Sequence, residues 1–208
     1  MEIRQHALLY ALIAKHCLER YGKEKGEELL KKITVLYGNK RGQRMAALTK
    51  QDNEDTDLNS FFIHGEWKGR DGENISLMSY EDDQTVSTVT KCAWYDTWKE
   101  YGLLNYGTYY CRYIDKAICE GFDGDFSLDV QKSMGRGDDE CIFCWNSSAD
   151  KGYIDDQKKK AQDKWIRSFD LHCEELYACA KEILADDEEI LELISKDLED
   201  LREGKEEL

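Results

Sequence analysis

KCAWYDTWKEYGLLNYGTYYCRYIDKAICEGFDGDFSLDVQKSMGRGDDECIFCW, residues 91–145, is the stretch whose reading decides the fold. Within it FSLDVQKSM (126–134) alternates: Phe126, Leu128 and Val130 fall on one face, Ser127, Asp129 and Gln131 on the other. A period of two is the mark of a strand with one buried face. GRGD (135–138) is a turn, and ECIFCWN returns as the partner strand of a hairpin. The residues before it, about 93–102 and 106–120, read as two helical pieces parted by a loop near Gly102.

Upstream, ISLMSY (75–80) and TVSTVTK (85–91) are rich in β-branched residues and flank the turn EDDQ, which predicts a second hairpin. The N-terminal segment 2–21 carries apolar residues at helical spacing and ends at Gly22. A second amphipathic helix is predicted from Lys23 to Leu36, closed by Tyr37 and Gly38, with a shorter third helix starting in NKRGQRMAALTK. QDNEDTDLNS is polar and loop-like. Downstream, an apolar stripe runs from Trp165 through Phe169, Cys173 and Leu176 to Leu184. Asp186 or Asp187 can cap a last helix. Its Leu191, Ile194, Leu198 and Leu201 repeat with a period near that of a coiled-coil seam. That seam suits docking on the rest of the chain or a contact between two copies. Hairpins interleaved with helices define an α+β fold: an antiparallel sheet of two hairpins packed with N-terminal, central and C-terminal helices. Residues 1–185 form the expected domain and 186–208 an acidic C-terminal helix.

The chain has 208 residues and a formal net charge of −15. Binding nucleic acid requires a basic face that displaces counterions from phosphate, and an anionic membrane surface makes the same demand. Neither partner is expected. No apolar run approaches the roughly 20 residues that span a bilayer. The N-terminus lacks a basic start and a cleavage site, so a cytoplasmic location is expected. There the eight cysteines would stay reduced, most of them as small buried hydrophobes.

Chemistry is concentrated in a few residues. Cys141 and Cys144 form a C-x-x-C pair, but positions three apart on a strand face opposite ways, so they suit a shared metal poorly. Cys111 and Asp115 are four apart on an expected helix and share a face. If that face packs on the strand bearing Cys141, a thiolate, a second thiol and a carboxylate converge. Such a group could act as nucleophile and proton carrier, as metal ligands, or as plain core. Arg41 and Arg44, near the start of a short helix, make a reasonable carboxylate site. The four histidines show no metal spacing, and no Walker loop, dinucleotide fingerprint or serine elbow is present.

Four motifs occur in order: YGNKRGQRM from Tyr37, CAWYDTWKEYG from Cys92, YCRYID from Tyr110, and GRGDDECIF from Gly135, with Gly137 and Asp138 before Cys141. In these the chain resembles the L-2-amino-thiazoline-4-carboxylic acid hydrolase family over about residues 2–147. More distantly it is similar to 4-vinyl reductase type small-molecule-binding domains, some of which bind zinc. There, however, Gln131 and Met134 stand where Glu and Cys would be sought. The first resemblance implies hydrolytic opening of a cyclic isothiourea on a route to cysteine. It implies Cys141 as nucleophile, Asp115 as amidinium anchor and proton shuttle, and Cys111 as a second thiol. Arg41 or Arg44 would grip the substrate carboxylate, and Tyr37 and Cys92, from the same motifs, would line the substrate site. No cofactor is required on this path. A metal path would use zinc or manganese on Cys111, Asp115 and Cys141, with an open position for water. The expected partner is a small molecule, with a homodimer through the C-terminal helix as a further expectation. A non-catalytic sensor using the same pocket is the competing reading, and an assembly protein dimerised by its C-terminal seam a third.

Overall fold

The computed structural model describes residues 1–206. Its first element, α1 (Ile3–Gln51), is a helical hairpin broken at Gly22, whose φ of 74° and ψ of 173° suit glycine alone. The arms fold back on each other: Tyr10 bonds Thr34 at 2.7 Å and His6 bonds Tyr37 at 3.0 Å. Residues 6–14 of the first arm are buried all round, so this helix is central rather than amphipathic along that stretch.

The second arm does not stop at Tyr37 and Gly38, as its sequence predicts, but continues to Gln51 and absorbs the expected third helix. Gly38 and Gly42 serve close packing instead. A Cβ at Gly38 would lie 2.6 Å from that of Ala117, and one at Gly42 would strike the backbone at Ile118. Both neighbours belong to α5 (Ile114–Phe122), which lies against this arm. A helix carrying small residues on one face lets a second backbone approach where a larger side chain would hold it off.

After the short α2 (Leu58–Ile63) come β1 (Ile75–Tyr80) and β2 (Thr85–Lys91), then α3 (Ala93–Glu100) and α4 (Leu104–Gly107). The helix expected over 106–120 is not continuous. Tyr110–Arg112 forms a 3-10 turn, and Tyr113 (φ −133°, ψ −28°) interrupts the coil before α5. Tyr109 and Tyr110, adjacent in sequence, are both buried. Tyr110 packs edge-on against Tyr10, and the Tyr109 hydroxyl donates to Glu27 at 2.6 Å. Then follow β3 (Leu128–Lys132) and β4 (Cys141–Trp145), each shorter than its alternating run.

The two hairpins join into one antiparallel sheet in the order β1-β2-β4-β3. Val89 pairs with Cys141, and Val130 with Phe143. By this register Cys141, Phe143 and Trp145 share a face with Leu128 and Val130, and that face meets Cys119 of α5. The remaining helices are α6 (Lys151–Ala161), α7 (Phe169–Ile183) and α8 (Glu188–Arg202). Asp187 caps α8, accepting from Ile190 N–H at 3.3 Å. Ile190, Ile194, Leu198 and Leu201 of α8 lie in the same apolar core as α1 and α7. The seam is thus spent within the chain, and a contact between copies would have to use other surface. No helix among the described residues is long and apolar enough to cross a membrane. The architecture is α+β, with the sheet on one side of a helical body.

Candidate active site

The tight link between β3 and β4 aims a donor at a sulfur. Ser133 N–H donates to Asp138 Oδ2 at 2.7 Å, Arg136 N–H to the Ser133 carbonyl at 2.8 Å, and Gly137 N–H to the Met134 carbonyl at 3.0 Å. Gly137 takes φ 96°, as the turn requires. In this conformation Met134 N–H donates to Cys141 Sγ at 3.3 Å. The turn also approaches the 3-10 segment closely: a Cβ on Gly135 would lie 2.7 Å from Cys111 Cβ and 3.0 Å from its sulfur.

Cys92, Cys111, Cys141 and Asp115 lie within electrostatic reach of one another. Cys92 caps α3, just past the end of β2. Burial dominates each thiol. It pushes Cys111 well above the usual thiol range and Cys92 up to about 11, although the Trp94 and Tyr95 N–H groups favour the Cys92 thiolate. Burial raises Cys141 too, opposed by the Met134 N–H and the Ser133 hydroxyl. Asp115, in the first turn of α5, is pushed up to about 6 by burial, with the Arg41 charge pulling the other way. A carboxyl that titrates near neutrality beside a thiol is suited to passing a proton.

Two of them, Cys111 and Asp115, line a cleft of about 160 Å³ together with Val130 and Ser133. Cys141, 8% exposed, is outside that lining, though its strand neighbour across the turn, Ser133, is part of it. The size suits a single small ring rather than the drug-sized ligands that fill roughly 300 Å³ or more. Among the described residues no three His, Cys, Asp or Glu side chains are grouped as a metal would need.

The expected arginines sit behind the cleft rather than in its lining. Arg41 is buried, with Nε on Glu66 at 3.2 Å and Nη1 on the Tyr110 hydroxyl at 3.5 Å. Arg44 spans Glu66 and Glu175 through both edges of its guanidinium, with Nη1 2.6 Å from Glu175. Tyr37 lies under the Arg41 guanidinium, at 5.5 Å from its ring centre. Its hydroxyl belongs to a directed chain. Trp94 Nε1–H donates to His6 Nδ1 at 3.0 Å, so the His6 proton sits on Nε2 and is given to Tyr37 at 3.0 Å. Tyr37 O–H then donates to His172 Nδ1 at 3.1 Å. The chain is complete only with both imidazoles neutral. Burial first, then the Arg41 charge, pushes His6 down to about 3 and His172 to about 2.

Cys92, Cys111, Asp115 and Cys141 therefore lie within electrostatic reach of one another, Arg41 acts on Asp115 from outside the cleft lining, and Arg44 is paired with Glu66 and Glu175. Glu66, His6, His172 and Ser133 escaped the sequence reading. Glu66 follows no spacing rule, and the two histidines lie 166 positions apart. Trp94 was in view only as part of the CAWY run.

Similarity points the same way. The family model of L-2-amino-thiazoline-4-carboxylic acid hydrolase matches residues 1–145, and the chain belongs to that family. No curated protein and no solved structure matches it.

Proposed function

We propose that the chain hydrolyses a small cyclic amidine, with L-2-amino-thiazoline-4-carboxylate as the first substrate to test, and that Cys141 and Asp115 carry the reaction. The observation behind this reading is a carboxyl in the lining of a small cleft, lifted to about 6, within electrostatic reach of a thiol that accepts a backbone N–H. In such a substrate the ring carbon between nitrogen and sulfur is electrophilic once the amidine is protonated. Ionised Asp115 takes the Cys141 proton, a transfer that is uphill in the empty site and favoured by a cationic amidinium nearby.

The thiolate adds to the ring carbon, and the C=N electron pair moves to nitrogen. Asp115 returns the proton to the ring nitrogen as the carbon–nitrogen bond breaks, leaving the carbon on Cys141 as a cationic thioimidate. Water adds there and passes a proton to Asp115. Collapse of the adduct expels the Cys141 thiolate, which recovers its own proton from Asp115. The last hydroxyl proton goes to the freed amine. One water is consumed, and the product is a carbamoyl derivative of cysteine. Cys111 lines the cleft, Cys92 is a further thiol within electrostatic reach, Arg41 biases Asp115 toward its ionised form, and Arg44 holds Glu66 in place. The cytoplasm and a role in supplying cysteine fit this chemistry.

Mass detection of water addition tests the proposal. Cys141→Ser should lower turnover by at least about a thousandfold with an unchanged circular dichroism spectrum. Full activity in that variant would remove Cys141 from the reaction. Tight binding without product in the unaltered chain would favour a sensor instead. Loss of activity on chelation, restored by zinc or manganese, would favour the metal path.

A further inference from the structure

We propose that Lys116 and Arg136, with Arg112 beside them, form the subsite that takes the substrate's carboxylate and so select anionic rings. The proposal rests on the hydrolase reading above and deepens it. Arg41 and Arg44 already share Glu66, which is 1% exposed, and Arg44 also holds Glu175. Drawing either guanidinium to a substrate would leave Glu66 buried without its full complement of partners.

The cleft has cations of its own. Arg112, Lys116 and Arg136 all contribute to its lining, and Asp115 is the only carboxyl among the described residues that does. They come from different elements, Lys116 from α5 and Arg136 from the β3–β4 turn. Two are held in place: Arg136 donates to the Val130 carbonyl at 2.9 Å, with its Nε in a long, solvent-exposed contact of 4.0 Å to Asp138, and the Arg112 guanidinium stacks 4.0 Å from the centre of the Tyr109 ring. Lys116 makes no ion pair among the described residues, which leaves its ammonium free.

On a chain of net charge −15, a positive mouth is where a small anion is drawn rather than repelled. The polarity of the cleft then sets the pose. An anionic group sits at the rim between Lys116 and Arg136, and the amidinium end points down to Asp115 and Cys141.

Steady-state kinetics with two probes tests this: L-2-amino-thiazoline-4-carboxylate and 2-amino-2-thiazoline, the same ring without the carboxylate. In Lys116→Ala and Arg136→Gln the KM for the carboxylated ring should rise about five- to tenfold, with kcat nearly unchanged. The KM for the bare ring should stay where it was. Arg136→Lys, which keeps the charge, should recover much of the loss, separating charge from any loosening of the turn. An unchanged KM for the carboxylated ring in both neutralised variants, or equal shifts for both probes, would overturn the assignment. If the unaltered chain turns over neither probe, the hydrolase reading fails. Calorimetric titration with the same two rings then decides the subsite alone: a preference for the carboxylated ring that disappears in Lys116→Ala supports it, and no preference overturns it.

Discussion

Asp115 shows how burial and a neighbouring charge set a single group's work. Its carboxyl is lifted to about 6 because it is partly removed from water, and Arg41 limits the lift. A carboxyl whose folded pKa exceeds its unfolded value binds more protons when folded, so stability falls as pH rises between the two values. Asp115→Asn removes that charge. The variant should be about 1–2 kcal/mol more stable than the unaltered chain at pH 8, with the gap closing below about pH 4, as read from denaturant midpoints. Its turnover should fall at least about a hundredfold. A variant equally stable at both pH values would mean that Asp115 is well solvated. The sequence placed Cys111 and Asp115 together by assuming one helix, whereas the chain breaks at Tyr113 between them. They still act on one another because the turn at Gly135 seats Cys111 from the other side.

At the level of elements, the β3–β4 turn does the most for chemistry. Asp138 accepts from Ser133 N–H and so fixes the peptide that presents Met134 N–H to Cys141. Asp138→Ala should raise the Cys141 thiol pKa and slow its alkylation by iodoacetamide several-fold at pH 8. Asp138→Asn, whose amide oxygen can still accept, should stay near the unaltered rate; equal rates in all three proteins would detach Asp138 from the thiol. The turn itself was legible in GRGD, because glycine and aspartate punctuate chains locally. Its donor was not, since a backbone N–H carries no residue signature. The stop at Tyr37-Gly38 misled for a related reason: glycine marks both helix ends and close helix contacts. Only the presence of α5 decides between them.

Across the molecule, His6, Tyr37, His172 and Trp94 come from both arms of α1, from α7 and from α3. Their chain of hydrogen bonds ties the C-terminal third, beyond the family match, to the back of the site. Both imidazoles are pushed below their unfolded pKa, so the folded state is favoured above about pH 6.5 and loses that advantage as pH falls toward 3. Each should contribute a slope of up to about 1.4 kcal/mol per pH unit over that window. Denaturant midpoints taken from pH 7 to pH 4 should show this steep loss, and His172→Gln should make it shallower. An equally steep loss in the variant would place the acid sensitivity elsewhere.

Local pattern alone determined the α+β class, the two hairpins, the Gly22 break and the last helix, with its cap narrowed to Asp186 or Asp187. Periodicity, β-branching and turn chemistry act over a few residues and can be read there. The tertiary structure decided which of the reactive residues line the cleft and where the arginines point. It also decided that α8 buries its seam against its own chain and that Glu66 and two distant histidines stand behind the cleft. Those outcomes depend on contacts between segments far apart in sequence. Packing settles such contacts, and no spacing rule along the chain encodes them.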